Sequence, residues 1–219
     1  MSVLKKKVAQ AALEYIPEGE VLGIGTGSTV DYFIDALRHR VTTIPAVVVS
    51  SERSKVQCQN IGLTVLPATS VNHIALYVDG ADEVDSRGYC IKGGGGALTQ
   101  EKIVAAIAQQ FVCIIDVDKW VPILGANFPI ALEVIPSARS LVGRAVVGIG
   151  GNPVYREGFV TDNGNIIIDV YGLNCADISS VDKKLNHMVG VVCHGLFVAE
   201  KPDVVLLSKP DVAQCYIDT

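Results

Sequence analysis

E-V-L-G-I-G-T-G-S-T-V-D-Y-F-I-D-A-L (20–37) opens with an apolar run, passes through a Gly/Thr/Ser turn and continues with apolar residues at helical spacing. Residues 20–25 read as a buried strand, and Val30, Phe33, Ile34 and Leu37 mark one face of a helix. Strand, tight turn and helix make the first unit of a parallel α/β sheet. Upstream, residues 3–15 read as an amphipathic helix ended by Pro17 and Gly19. Downstream, apolar strands are expected at 46–50, 63–66, 74–78 and 111–115, with helices at about 51–60 and 99–110. Near-continuous apolar strands alternating with helices imply a sheet covered on both faces.

Past Asn127 the rhythm changes. Strands are expected at 130–135, 153–160, 165–170 and 191–198, with helices at 137–149 and 177–187 and a turn at Asp162-Asn163-Gly164. That order, βαββαβ, is the split motif of a ferredoxin-like domain. A strand at 203–208 and a short helix from Pro210 onward complete the reading. The expected fold is therefore α/β: a Rossmann-like, mostly parallel sheet domain (1–127 plus 203–219) with a smaller ferredoxin-like α+β domain (128–202).

Composition narrows the function. Of 219 residues, 49% are hydrophobic and 19% charged, a globular balance. A net charge of −5 argues against a nucleic-acid partner. The six cysteines contain no C-x-x-C pair, and several sit in apolar runs as small hydrophobes, which fits a reducing cytoplasm. No apolar run approaches the roughly 18 residues that span a bilayer, and the N-terminal stretch lacks a signal-peptide core. A soluble cytoplasmic protein is expected.

Four stretches carry candidate chemistry. In C-I-K-G-G-G-G-A-L-T-Q-E-K-I-V (90–104), Lys92 precedes four glycines, Gly93 to Gly96, and Glu101 falls in the first turn after Thr99. A glycine run lets backbone amides approach an anion, and a helix N-terminus adds partial positive charge. Thr26, Gly27, Ser28 and Thr29 supply hydroxyls and amides at a strand-to-helix turn, suited to a phosphate or a sugar hydroxyl. Gly23-x-Gly25-x-x-Ser28 lacks the third glycine of a dinucleotide fingerprint.

D-G-A-D-E-V-D (79–85) follows an apolar strand, so its carboxylates are expected at the strand's C-terminal end, where open α/β sheets bind ligands. Asp79, Asp82, Glu83 and Asp85 read as a Mg²⁺ site or as a polar turn helped by Gly80, and a third reading is proton handling, with Asp79 and Asp82 contacting substrate hydroxyls near Lys92. Carboxylates near a lysine keep it protonated, which favours Lys92 as an electrostatic stabiliser over a Schiff-base nucleophile. Lys119 in D-V-D-K-W (116–120) follows another buried strand. The four histidines show no zinc spacing, and no G-x-S-x-G elbow is present.

Together, G-I-G-T-G-S-T, Y-V-D-G-A-D-E, I-K-G-G-G-G-A-L-T-Q-E-K and D-V-D-K resemble the ribose-5-phosphate isomerase type A family. The likeness extends through E-V-I-P (133–136) and V-T-D-N-G-N (160–165), nearly the whole chain. Two positions depart from it: the fourth loop glycine is often alanine in that family, and Asp118 stands where serine is common. The resemblance implies interconversion of ribose 5-phosphate and ribulose 5-phosphate through a cis-enediolate, without metal or organic cofactor. It implies Glu101 as the base, Lys92 and the loop amides as stabilisers of the oxyanion, and Asp79 and Asp82 in ring opening and hydroxyl contacts. Thr26 to Thr29, Asp79, Gly80, Ala81, Asp82, Lys92, Gly93, Gly94, Gly95 and Lys119 match ligand-binding positions, and a homodimer or larger homo-oligomer is implied. The alternatives are a non-catalytic sugar-phosphate-binding protein and a Mg²⁺-dependent phosphosugar enzyme.

Overall fold

The computed structural model describes residues 2–209 and 215–218. Along the chain run α1 (Ser2–Ala11), β1 (Leu22–Ile24), α2 (Ser28–Ala36), β2 (Val47–Val49), α3 (Glu52–Asn60), β3 (Val65–Leu66) and β4 (Leu76–Asp79). There follow β5 (Glu83–Val84), β6 (Cys90–Ile91), α4 (Leu98–Ala106), β7 (Phe111–Asp116), β8 (Ile130–Val134), α5 (Arg139–Gly148), β9 (Asn152–Tyr155) and β10 (Ile166–Tyr171). The last elements are α6 (Ile178–Asn186), β11 (Val191–His194), β12 (Leu196–Phe197), β13 (Val204–Ser208) and β14 (Cys215–Asp218).

The chain divides into two compact units: Met1–Ala81 with Gln100–Trp120 and Glu200–Thr219, and Asp82–Thr99 with Val121–Ala199. The first is built on a sheet ordered β14-β13-β7-β4-β1-β2-β3, parallel except where β14 pairs antiparallel with β13. Its central strands are mostly apolar, with polar residues such as Asp79 and Asp116 at their ends, as expected where both faces are covered, and all six residues of β7 are buried. Val8 and Ala12 from the N-terminal helical segment and Val30, Phe33 and Ile34 of α2 join Ile24, Val78 and Ile114 of the strands in one core. The winding β3-β2-β1-β4-β7 brings the C-terminal ends of parallel strands to one edge.

The second unit carries the antiparallel sheet β11-β8-β10-β9 with α5 and α6, the ferredoxin-like order expected from βαββαβ. Val142 and Val146 of α5 and Val181 and Leu185 of α6 pack on Leu132, Val134 and Ile168. A second sheet, β12-β6-β5, lies in the same unit.

Three expectations need correction. The single strand at 191–198 is two strands in two sheets: β11 pairs with β8 and β12 with β6. Gly195 makes the transfer, donating to Ala131 O (2.8 Å) and accepting from Lys92 N (2.9 Å). A Cβ there would sit 2.1 Å from the Lys92 carbonyl.

The expected boundaries (1–127 plus 203–219 against 128–202) differ from the observed division mainly at 82–99 and 121–127, which cluster with the second unit. β5 and β6 tie the first of these segments to β12. Two-residue strands are too short to leave a periodic pattern.

A short helix was expected from Pro210 onward. Residues 210–214 lie outside those described, and Cys215–Asp218 form β14. The open edge of β13 offers unpaired backbone groups, which a nearby segment rich in strand-forming residues can satisfy. Among the described residues no helix is long and apolar enough to cross a membrane.

Candidate active site

In the first unit the turn after β1 places Thr26 to Thr29 at the N-terminus of α2. Gly25 is glycine because of Asp79: a Cβ at Gly25 would lie 1.9 Å from the Asp79 carboxyl group. That carboxylate, fully buried at the end of β4, accepts from Thr26 N (3.0 Å) and Gly80 N (2.7 Å) through Oδ1. Its Oδ2 accepts from the Tyr77 hydroxyl. Burial, then the charge of Asp79, then that of Glu101 push the Tyr77 phenol well above its ordinary 10.0, so it remains a neutral donor at physiological pH.

Tyr77 was not singled out from sequence, because a tyrosine in an apolar strand reads as core. Two further residues were missed. Ser51 caps α3, accepting from Ser54 N, and its hydroxyl donates to Thr26 Oγ1 (3.0 Å). Lys5 of α1 donates to Ser28 Oγ (2.8 Å), adding a cation at the turn. Neither lies in a motif, and only the packing of helices on the sheet brings them there.

Glu101 is buried (4% exposed) in the first turn of α4. Leu98 opens that helix, and the Thr99 hydroxyl donates to Glu133. Lys119 closes a one-turn 3-10 helix directly after β7 and is half-buried.

Substituting Gly25→Ala tests the Gly25–Asp79 approach. The added methyl displaces the carboxylate from Thr26 N and Gly80 N, and we expect catalytic efficiency to fall on the order of 10²-fold. Circular dichroism should show the fold retained. Activity equal to that of the unmodified protein would remove Asp79's fixed geometry from the reaction.

In the second unit Lys92 is almost fully buried, its amide held by Gly195 and its ammonium 5.5 Å from the centre of the Phe197 ring. The glycine loop turns immediately afterwards, with Gly96 N donating to Gly93 O (2.9 Å). Gly96 has φ 75°, and a Cβ there would lie 2.2 Å from the Phe159 ring. Alanine at this fourth position therefore requires Phe159 to move. The departure from the family's common residue matches the ring that faces it.

Asp82 accepts from Gly94 N (2.8 Å) and so belongs to this loop. Its neighbours do not join it. Glu83 accepts from the amides of Gly125 (2.6 Å) and Asn127 (2.8 Å), and Asp85 pairs with Arg87 (2.7 Å). Each of these carboxylates has its own partners, and among the described residues no group of three or more His, Cys, Asp or Glu is arranged to hold a metal ion.

The segments E-V-I-P and V-T-D-N-G-N prove to be one hydrogen-bonded cluster. Glu133, fully buried on β8, accepts from the Thr99 hydroxyl, and from the Thr161 hydroxyl and the side-chain amides of Asn163 and Asn165 at 2.8–3.0 Å. Several donors on one carboxylate satisfy it in place of a cation.

The sequence model described as Ribose 5-phosphate isomerase A (phosphoriboisomerase A) matches residues 46–212. A solved structure of ribose 5-phosphate isomerase A from Neisseria gonorrhoeae superposes with a TM-score of 0.96 at 40% identity, covering 99% of this chain and 96% of that one. The isomerase A from Methanocaldococcus jannaschii gives 0.94 at 37% identity, covering 99% of each chain. A D-ribose-5-phosphate isomerase in complex with phospho-erythronic acid gives 0.94 at 32% identity, covering 99% of this chain and 98% of that one. With two units of these topologies, a buried acid at the head of α4 and a glycine loop leading into it, the chain belongs to the ribose 5-phosphate isomerase A family.

Proposed function

We propose that this protein interconverts D-ribose 5-phosphate and D-ribulose 5-phosphate by proton transfer, with Glu101 as the base. The observation that carries this reading is the continuous stretch from Lys92 to Glu101. It contains a buried cation, a glycine loop and a buried carboxylate in a helix's first turn. Aldose–ketose isomerisation requires those three functions and no net oxidation.

In the forward direction Glu101 removes the proton from C2 of the open-chain aldose. The electrons of the C–H bond form the C1–C2 double bond of a cis-enediolate, and charge develops on O1. Lys92 and the loop amides stabilise that oxygen. A proton passes from O2 to O1, and the proton held by Glu101 is then delivered to C1, leaving a carbonyl at C2 and a hydroxyl on C1.

Asp79 and Asp82 contact sugar hydroxyls and serve ring opening. Thr26, Gly27, Ser28, Thr29, Gly80, Ala81, Gly93, Gly94, Gly95 and Lys119 supply the remaining contacts to the sugar phosphate. No metal or organic cofactor takes part. Five described cysteines are free thiols, which supports a reducing cytoplasm as the protein's location. A homodimer or larger homo-oligomer is the expected assembly.

The test is turnover of ribose 5-phosphate in a coupled assay, repeated in excess EDTA. Full activity under both conditions is expected. Loss with EDTA and recovery with Mg²⁺ would favour a metal-dependent enzyme, and binding without turnover would leave a sugar-phosphate-binding protein.

A further inference from the structure

A glycine run has more backbone freedom than any other sequence, so a loop that must present amides in one direction needs something outside it to hold it. In the second unit that role falls to Arg156, just after β9. Its main chain is fixed by donation to Ile167 O (3.0 Å). One edge of its guanidinium grips Asp169 of β10, with Nε to Oδ2 at 2.8 Å and Nη2 to Oδ1 at 2.5 Å. The other edge faces the glycine loop: Nη1 donates to Gly93 O (3.3 Å) and Gly94 O (3.2 Å), and Nη2 to Gly93 O (3.3 Å). The guanidinium carbon also lies 5.4 Å from the centre of the Phe159 ring, the ring that packs at Gly96. Both members of the ion pair are largely sheltered, the arginine side chain 20% exposed and the aspartate 12%.

In a planar trans peptide the carbonyl and the amide point in opposite directions. Fixing Gly93 O therefore directs Gly94 N–H, which meets Asp82 Oδ2. Fixing Gly94 O directs Gly95 N–H the opposite way, and at Gly95 an added Cβ would meet nothing within 4 Å. Charge-assisted bonds from a planar fork are stronger and more directional than a neutral contact, and a lysine cannot reproduce the fork.

We propose that Arg156, held by Asp169, is a positioning residue for the isomerisation: it holds the Gly93 and Gly94 carbonyls so that the Gly95 amide faces the substrate's developing oxyanion. The proposal rests on the function assigned above. It gives a reaction role to two residues that lie in none of the motifs shared with the family.

The test compares Arg156→Gln, Arg156→Lys and Asp169→Asn with the unmodified protein. Readouts are kcat and KM for ribose 5-phosphate, the inhibition constant of phospho-erythronic acid, and thermal melting. Misplacing a reacting contact by about 1 Å costs on the order of 10²-fold. We expect that loss in kcat for Arg156→Gln, with KM changed by no more than about threefold, since an interaction made mainly in the transition state lowers kcat. Arg156→Lys should not restore the rate.

Asp169→Asn keeps the arginine but loosens its grip. It should lower kcat roughly tenfold, in line with loss of one supporting hydrogen bond of about 1.4 kcal/mol. Binding of the sugar-acid phosphate should weaken in the same order as kcat.

Folded Arg156→Gln and Arg156→Lys proteins with unchanged kcat would overturn the proposal, as would a loss confined to melting temperature. Should the arginine variants fail to fold, Asp169→Asn decides alone: normal kcat at lowered stability overturns it, and lowered kcat at normal stability supports it. An unmodified protein with no turnover would instead refute the isomerase reading itself.

Discussion

Glu101→Gln is expected to lower kcat for ribose 5-phosphate by roughly 10² to 10⁴-fold, the usual contribution of a general base. The substitution is nearly isosteric, so the first turn of α4 and the surrounding packing should persist. The glutamine amide cannot take a proton from carbon, yet it can still hydrogen-bond a bound sugar. KM should therefore change little, and most of the loss should appear in kcat. Steady-state kinetics, together with exchange of the C2 proton into solvent, measures the step directly. Turnover close to that of the unmodified protein would remove Glu101 from the mechanism.

Lys92→Met should cost roughly 10² to 10³-fold in kcat, the range seen when one oxyanion-stabilising donor is lost. Methionine preserves most of the apolar stem and deletes the ammonium that lies over the Phe197 ring. Lys92 is nearly fully buried, where a charge acts with little solvent screening. The main chain should be undisturbed, since Lys92 is held there by its bond to Gly195. A far larger rise in KM than fall in kcat would assign Lys92 to ground-state binding. Unchanged kinetics would leave the loop amides as sufficient.

The likeness to known isomerases was legible in the sequence because its motifs are contiguous. Lys92, the four glycines and Glu101 follow one another within a dozen residues, and the turn at Thr26 to Thr29 announces itself by glycine and hydroxyl content. The strands of the parallel sheet were legible for a different reason: burial on both faces demands unbroken apolar runs such as Phe111–Ile115. What could not be read were partnerships between distant residues. Arg156 and Asp169 resemble any surface pair on a hairpin, and nothing in their spacing points to Gly93 and Gly94, more than sixty residues earlier. Glu133 likewise reads as an odd carboxylate in an apolar strand until Thr161, Asn163 and Asn165 are seen around it.

The division of 79–85 shows the same limit. Four carboxylates within seven residues read as one cluster, yet Asp79 ends the parallel sheet while Glu83 opens a short strand in another unit. Sequence alone thus determined the two sheet types and the order of their main elements, since hydrophobic period and turn composition are local properties. Tertiary structure alone decided why Gly25 must lack a side chain, where the chain crosses between sheets at Gly195, and which distant groups hold the glycine loop. These depend on close approach between segments far apart in the chain, and no local pattern records such an approach.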